Sequence, residues 1–207
     1  MTAPEKLYFY PVWLRIWHGI NALGILILII TGLSMQSSIE SSHVLKFSLI
    51  LNLHNIAGIL VTFCYLIFFA GNLFTPNGTF YIIKPSGFWK RPIKQAYYYA
   101  WGMFHGLKAP YPLSEKKKFN PLQKYSYVMV MYLIVPVVII TGIALLFPEI
   151  IIEKVYAFSG VFVTAVIHSA MGFFISIFLL VHLYIASIGK SPLENFKSII
   201  TGWHHIH

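Results

Sequence analysis

The sequence predicts an all-α integral membrane protein, a four-helix bundle with both termini in the cytoplasm. Three observations lead there. Of 207 residues, 57% are hydrophobic and only 10% are charged. Four apolar runs are long enough to cross a bilayer, and the Lys and Arg residues lie almost entirely on one side of them. Because an average soluble domain has about 25% charged residues, the composition argues against a small soluble enzyme.

The four runs cover about 13–35, 45–73, 127–147 and 161–188. A transmembrane helix needs about 20 consecutive apolar residues, and these runs are too long and continuous for strands of a soluble protein. They predict one membrane domain over 1–207, with a long connection at 74–126.

The cations give the orientation. Of the 15 Lys and Arg residues, 9 lie between spans two and three and 4 lie near the termini, whereas the other two connections hold only Lys46 and Lys154. The positive-inside rule then assigns the termini and the long connection to the cytoplasm, and the loops at about 37–44 and 148–160 to the opposite side. This orientation also explains the net charge of +9. We therefore expect the chain to lie in a lipid bilayer and not to bind nucleic acid.

Within the long connection, residues 91–106 mix Lys with Tyr, Trp and Phe. They predict either a helix on the membrane surface, with Pro92 in its first turn, or an irregular loop packed on the helix ends.

A short pattern occurs twice. Span one ends in Thr31-Gly32 and span two opens on His54 with Gly58. Span three ends in Thr141-Gly142, and span four opens on His168 with Gly172. The repetition suggests two related hairpins in one bundle. The glycines one turn from each His would leave room for a flat ligand, or would serve only close helix packing.

Four of the nine histidines lie inside the spans, and the spans contain no Asp or Glu to pair with them. Ionisable groups in a membrane are costly and usually functional, and each imidazole needs a partner. The absent carboxylates argue against a proton relay or a cation transporter. These four histidines are His18, His54, His168 and His182.

The spacing of these histidines predicts two layers. His168 and His182 are 14 residues apart, which places both on one face of a helix and separates them by about 21 Å. His18 would lie level with His182 on the cytoplasmic side, and His54 level with His168 on the opposite side. Two facing imidazoles are what a six-coordinate haem b needs, whereas zinc ligands would cluster in sequence. The alternative is four histidines that only make helix contacts.

The chain resembles the di-haem cytochrome b subunits of formate dehydrogenase (the gamma subunit), Ni/Fe-hydrogenase and thiosulfate reductase. The resemblance rests on four segments that together cover most of the chain: Arg15-Ile16-Trp17-His18, His54 with Gly58, residues 118–124 with the letters KFNPLQK, and His168-x13-His182-Leu183-Tyr184.

The resemblance implies two haem b groups, one held by His18 and His182 and the other by His54 and His168. It implies menaquinone or ubiquinone at Asn120 and Gln123, beside the cytoplasmic-side haem. The alternative for these two residues is helix capping, with Pro121 at the first helical position, and both roles can coexist. Arg15 would bind a haem propionate or reach the lipid headgroups.

The main hypothesis is therefore a membrane-anchoring di-haem cytochrome b subunit of a respiratory complex in the bacterial inner membrane. With Cys64 as the sole cysteine, the chain has no iron–sulfur cluster or c-type haem of its own. The expected partners are an iron–sulfur or multihaem subunit and a catalytic subunit on the non-cytoplasmic side. The alternatives are a stand-alone quinol-oxidising cytochrome that reduces oxygen or uses superoxide as acceptor, and a haem-free structural anchor.

Overall fold

The fold is described here from a computed structural model that covers residues 6–37, 44–112, 118–188 and 191–205. Of the residues that the structure describes, 76% are helical and very few are in strands. Most of the predicted loop at 37–44, including His43, lies outside the described residues, as do Lys116, Lys117, Lys190 and the terminal His207.

Seven α-helices and four short strands make up the described chain. The helices are α1 Val12–Ser37, α2 Val44–Phe74, α3 Lys90–Ala100, α4 Pro121–Met129, α5 Val135–Leu146, α6 Gly160–Ala186 and α7 Glu194–Thr201; the strands are β1 Lys6–Tyr8, β2 Lys154–Val155, β3 Phe158–Ser159 and β4 Trp203–His205. Short 3₁₀ turns occupy Pro76–Tyr81, Gly102–His105 and Pro148–Ile150.

Within these residues, four helical segments are long and apolar enough to cross a membrane, as predicted. They are Val12–Gln36, Phe47–Phe74, Pro121–Leu146 and Gly160–Ala186. The third begins six residues before the predicted start near Tyr127, because a capping box starts the helix at Pro121. The Asn120 side chain accepts from the Gln123 backbone N–H at 2.9 Å, and the Gln123 side chain accepts from the Asn120 backbone N–H at 3.1 Å.

The third span is not a regular α-helix throughout. Between α4 and α5, residues Val130–Ile134 form one π-helical turn, immediately before Pro136. A proline inside a helix has no N–H to donate and its ring clashes with the preceding turn, and the wider π turn accommodates both effects. The helix therefore continues through Pro136.

The described chain forms two compact units, and the single domain expected from the sequence stays a prediction. The first comprises residues up to Arg15, 70–132 and 183 onward. In it β1 pairs antiparallel with β4, which brings the two ends of the chain together. The turn between α7 and β4 needs Gly202, whose φ of +90° is in the left-handed region, and whose absent Cβ would lie 2.6 Å from the Tyr8 ring.

Most of residues 91–106 is helical, so the irregular loop is wrong, whereas the location of the helix on a membrane surface stays a prediction. Pro92 lies in the first turn of α3 and is buried, as is Gln95. The opposite side of α3 and of the 3₁₀ turn after it is apolar and exposed, through Ile93, Tyr97, Trp101 and Phe104. This amphipathic pattern is typical of a helix in a membrane interface, and its position on the membrane stays a prediction.

The second unit comprises residues 16–69 and 133–182, the central parts of the spanning helices. The Trp17 indole donates to the Cys64 carbonyl at 2.7 Å, and a Cβ on Gly24 would lie only 2.5 Å from Val61, so α1 and α2 are in close contact. Large apolar side chains such as Ile30, Phe63 and Leu180 are more than 60% exposed. Apolar faces this extensive require a lipid environment.

Replacing Asn120 with Ala should destabilise the protein, because it removes both the cap and the hydrogen bond from Asn120 Nδ2 to the Tyr99 hydroxyl at 2.9 Å. Loss of an N-cap costs about 1 kcal/mol, or about 2–4 °C in the unfolding midpoint for a chain of this size. Heating in detergent, followed by tryptophan fluorescence, measures the shift. Asn120→Ser keeps a capping oxygen and should recover most of it. An unchanged midpoint for Asn120→Ala would contradict the role of the cap.

Candidate functional site

The four intramembrane histidines form two pairs within the second unit. The rings of His18 on α1 and His182 on α6 have centroids 6.2 Å apart with planes at 50°. The rings of His54 on α2 and His168 on α6 are also 6.2 Å apart, with planes at 68°. The structure therefore brings together the same pairs that the sequence predicts, and helix α6 contributes one member to each.

The separation of the rings fits a metal ion bound between them. Imidazole nitrogen binds metals at about 2 Å, and ring bonds of about 1.33 Å place a ring nitrogen about 1.1 Å from the ring centre. Two imidazoles on opposite sides of one metal ion therefore have centres about 6 Å apart. The observed 6.2 Å of both pairs agrees with this, so the residues fit the axial positions of a haem.

The two pairs lie at separate levels of the bundle. Helix α6 runs without interruption from Gly160 to Ala186, so its 14-residue His168–His182 spacing corresponds to about 21 Å along the axis. This is about two thirds of the hydrocarbon thickness of a bilayer. Two cofactors bound at these pairs would lie near opposite faces of the membrane.

The hydrogen bonds of two threonine hydroxyls assign the tautomers of His54 and His168. Thr31 Oγ1 lies 2.8 Å from His54 Nδ1 and donates its own hydrogen to the Ile27 carbonyl at 2.6 Å. Because a hydroxyl has a single hydrogen, Oγ1 is left to accept from Nδ1–H. The lone pair of His54 is then on Nε2, the nitrogen free to bind a metal.

The second half of the repeated pattern has the same arrangement. Thr141 Oγ1 donates to the Val137 carbonyl at 2.7 Å and lies 3.0 Å from His168 Nδ1. The threonine of each Thr-Gly pair thus orients the histidine of the following helix. These hydroxyls take the role that carboxylates have around many metal-bound histidines.

The glycines beside these groups leave room for the rings. A Cβ on Gly142 would lie 3.1 Å from His168 Cε1, and a Cβ on Gly32 would lie 3.6 Å from His54 Cε1. One turn beyond each histidine, a Cβ on Gly172 would meet nothing within 4 Å, and one on Gly58 would first meet Leu28 at 3.9 Å. The open space at Gly58 and Gly172 agrees with the room for a flat ligand that the sequence suggested.

The hydrogen bonds from His54 and His168 to Thr31 and Thr141 were not predicted from the sequence. Sequence reasoning identified the repeated Thr-Gly and His-x-x-x-Gly segments, but searched for partners of the histidines only among carboxylates. A threonine 23 residues before one histidine and 27 before the other shows no fixed spacing, because the intervening loops differ in length. The repetition of the Thr-Gly and His-x-x-x-Gly segments is the signal from which each threonine could have been matched to its histidine.

Arg15 lies in the first unit, where its Nη1 donates to the Ile200 carbonyl at 2.5 Å. This carbonyl is in the last turn of α7, where a cation also interacts favourably with the helix dipole. The buried Nε of Arg15 has no hydrogen-bond partner among the described residues. Arg15 thus connects α1 to α7, and its predicted contact with a propionate stays a prediction.

Asn120 and Gln123 are brought together by the capping box. Asn120 is 5% exposed, and its Oδ1 and Nδ2 are bonded to the Gln123 backbone and to Tyr99. Burial raises the pKa of the Tyr99 hydroxyl, which therefore stays protonated at neutral pH. Gln123 uses its Oε1 in the cap, and no hydrogen bond of its Nε2 is seen in the described part of the chain. Capping is confirmed, and quinone contact stays a prediction.

Other histidines have local contacts. His105 stacks on Trp101 at 4.0 Å, and His204 stacks on Phe9 at 5.8 Å. In the described ranges no group of three or more His, Cys, Asp or Glu side chains could hold a metal ion. This leaves the two histidine pairs as the candidate sites.

Comparison with known proteins identifies the family. The profile described as prokaryotic cytochrome b561 matches residues 9–202. The chain belongs to this family. A relative from Escherichia coli (strain K12), named “Putative cytochrome YdhU”, is 35% identical over 201 residues, which are 97% of this chain and 75% of the relative. The resemblance to membrane cytochromes b is thereby confirmed. The family implies a bacterial membrane protein that binds haem b and transfers electrons.

Replacing Thr141 with Val should weaken haem binding at the His54–His168 pair by about 10–100-fold, the usual cost of removing a hydrogen bond to a metal-bound histidine. Potentiometric titration of the purified cytochrome should show one of two components lost or shifted. Thr164→Val is the matched control, because the Thr164 hydroxyl bonds only its own helix at Gly160. Thr141→Ser should restore the wild-type titration. Two unaltered components in Thr141→Val would contradict the assigned role.

Proposed function

We propose that this chain is the membrane-anchoring di-haem cytochrome b subunit of a respiratory oxidoreductase complex. It would transfer electrons across the membrane between a partner redox subunit and the quinone pool. The proposal rests on the two histidine pairs. The rings of each pair are 6.2 Å apart, and helix α6 contributes one histidine to each pair at a different level. Family membership supports haem b as the group they bind.

The residues at these levels are suited to holding an electron carrier in lipid. Haem b, when bound, supplies a one-electron carrier. The two imidazoles of each pair would hold the haem between them. Thr31 and Thr141 orient two of the histidines, and the helices that carry them are apolar. A haem held by two histidines would favour electron transfer over chemistry on a bound substrate.

A redox partner is part of the proposal because Cys64, the sole cysteine, allows no iron–sulfur cluster within this chain. We expect an iron–sulfur or multihaem subunit, together with a catalytic subunit, on the non-cytoplasmic side of the bacterial inner membrane. The cation distribution supports cytoplasmic termini. The β1–β4 pairing supports a common side for both ends.

The proposed quinone-binding site is at Asn120 and Gln123, where menaquinone or ubiquinone would bind. A quinone carbonyl needs a hydrogen-bond donor, and Gln123 Nε2 is a donor at this position that the capping box does not use. Direction of flow depends on the potentials of the partners. The same residues would serve quinone reduction or quinol oxidation.

The number of haems tests the proposal. Reduced-minus-oxidised spectra and a pyridine haemochrome assay should give two low-spin b haems per purified chain. His168→Ala should leave one, held by His18 and His182, because each pair binds independently. His105→Ala, in which a histidine outside the spans is removed, should keep both. A purified protein without haem would refute the di-haem assignment. A single haem that remains when the histidines of either pair are replaced would refute it as well.

The quinone and the partner are tested in membranes. Reduction of the haems by a water-soluble menaquinol analogue should slow at least tenfold in Gln123→Leu, with spectra unchanged, because the donor at the quinone is lost. Purification in a mild detergent should recover an iron–sulfur or multihaem protein with the cytochrome. Unchanged rates of haem reduction in Gln123→Leu would contradict the proposed binding of quinone at Gln123. Recovery of the cytochrome alone would favour a stand-alone protein.

A further inference from the structure

The first compact unit contains a buried cation that the electron-transfer function does not use. Lys118 is 5% exposed, and its ammonium lies 4.7 Å from the centre of the Tyr10 ring, with the Phe80 and Phe119 rings at 5.6 and 5.8 Å. The part of the chain that the structure describes offers this ammonium no ion pair or hydrogen bond. Contacts with aromatic rings compensate only part of the hydration that a buried ammonium loses.

Lys118 lines a cavity of about 540 Å³, within the range of small-ligand sites. Its wall also contains Tyr8, Trp13, Thr75 and Asn77. Burial lowers the pKa of Lys118 to about 8, so the group is still mostly charged at neutral pH and an anion beside it would be stabilised. An uncharged ligand would leave the ammonium without a counter-ion.

The position of the cavity points to the source of the anion. Trp13 is in the first turn of α1, Thr75 follows the end of α2, and Lys118 comes three residues before α4. The cavity is therefore at the ends of three helices that are long and apolar enough to cross a membrane, where lipid headgroups would lie. Trp13 and Tyr8 are 39% and 48% exposed at its wall, as is typical of aromatic side chains in the membrane interface.

We propose that this cavity binds the phosphate of an anionic phospholipid, with Lys118 as its counter-charge. Basic pockets between spanning helices recognise anionic headgroups in this way. The predicted orientation places the cavity at the cytoplasmic leaflet. The proposal does not depend on the haem count, because all of these residues belong to the first unit.

Thermal unfolding of the full chain in detergent provides the test. Phosphatidylglycerol at a hundredfold excess over its dissociation constant should raise the midpoint by about 5 °C or more. Phosphatidylcholine and inorganic phosphate at equal concentration should give less than half of that rise. Lys118→Met should lose the rise and Lys118→Arg should retain it. Lys197→Met, which removes an exposed lysine of the same unit, is the matched control and should also retain it.

Several results would overturn the proposal. A full rise in Lys118→Met would show that the lipid acts elsewhere, and an equal rise with inorganic phosphate would indicate a site for free anions. An equal rise with decylubiquinone would assign the cavity to quinone. Shifted haem bands in Lys118→Met would assign the ammonium to a haem propionate. If Lys118→Met does not fold, the comparison of phosphatidylglycerol with phosphatidylcholine on wild type and Lys118→Arg still decides.

Glu115 is the acidic residue nearest to Lys118 in sequence, and it lies outside the described residues. In Glu115→Gln the phosphatidylglycerol response should persist at its wild-type size. A lower midpoint without lipid, together with loss of the response, would make Glu115 part of the site in place of a lipid phosphate and would overturn the proposal.

Discussion

The hydrogen bond from histidine Nδ1 to a threonine hydroxyl is the interaction on which the His54–His168 pair depends. An imidazole in lipid must find a partner for each ring nitrogen, and the spans contain no carboxylate. Thr31 and Thr141 satisfy Nδ1 of His54 and His168 and leave each Nε2 as the nitrogen that can bind a metal. A neutral hydroxyl does this without placing a second ionisable group in the hydrocarbon layer.

The glycine after each threonine lies beside the imidazole, and at Gly142 the space for a side chain is limited. A Cβ at Gly142 would lie 3.1 Å from His168 Cε1, so the imidazole would have to shift by a few tenths of an ångström from its place beside Thr141. The two Thr-Gly segments thus couple α1 to α2 and α5 to α6, within two hairpins of similar design. Helix α6 then connects the levels, because its two histidines face partners from α2 and α1 respectively.

The first unit satisfies its polar groups in a different way. At the start of α4, Asn120 and Gln123 cap the helix and Tyr99 binds the remaining amide of Asn120. Arg15 binds the end of α7, and β1 pairs with β4. Backbone groups at helix ends are thereby bonded inside the protein, whereas the charge of Lys118 has only aromatic rings around it in the described chain. Arg15 has a hydrogen bond from Nη1 to the Ile200 carbonyl, whereas its buried Nε has no partner among the described residues.

The sequence by itself determined the four spans, the four intramembrane histidines and their pairing. These follow from hydrophobicity and from the 3.6-residue helical period, which act along one chain segment. Only the tertiary structure decided the distance between the paired rings, the threonine partners and the cavity around Lys118. Thr31 and His54, and likewise Lys118 and Tyr10, meet across loops of unrelated length, and no local period specifies such contacts. The early start of the third span at Pro121 lies between these cases. The sequence shows the capping residues of this helix, whereas its hydrophobicity alone predicted a start six residues too late.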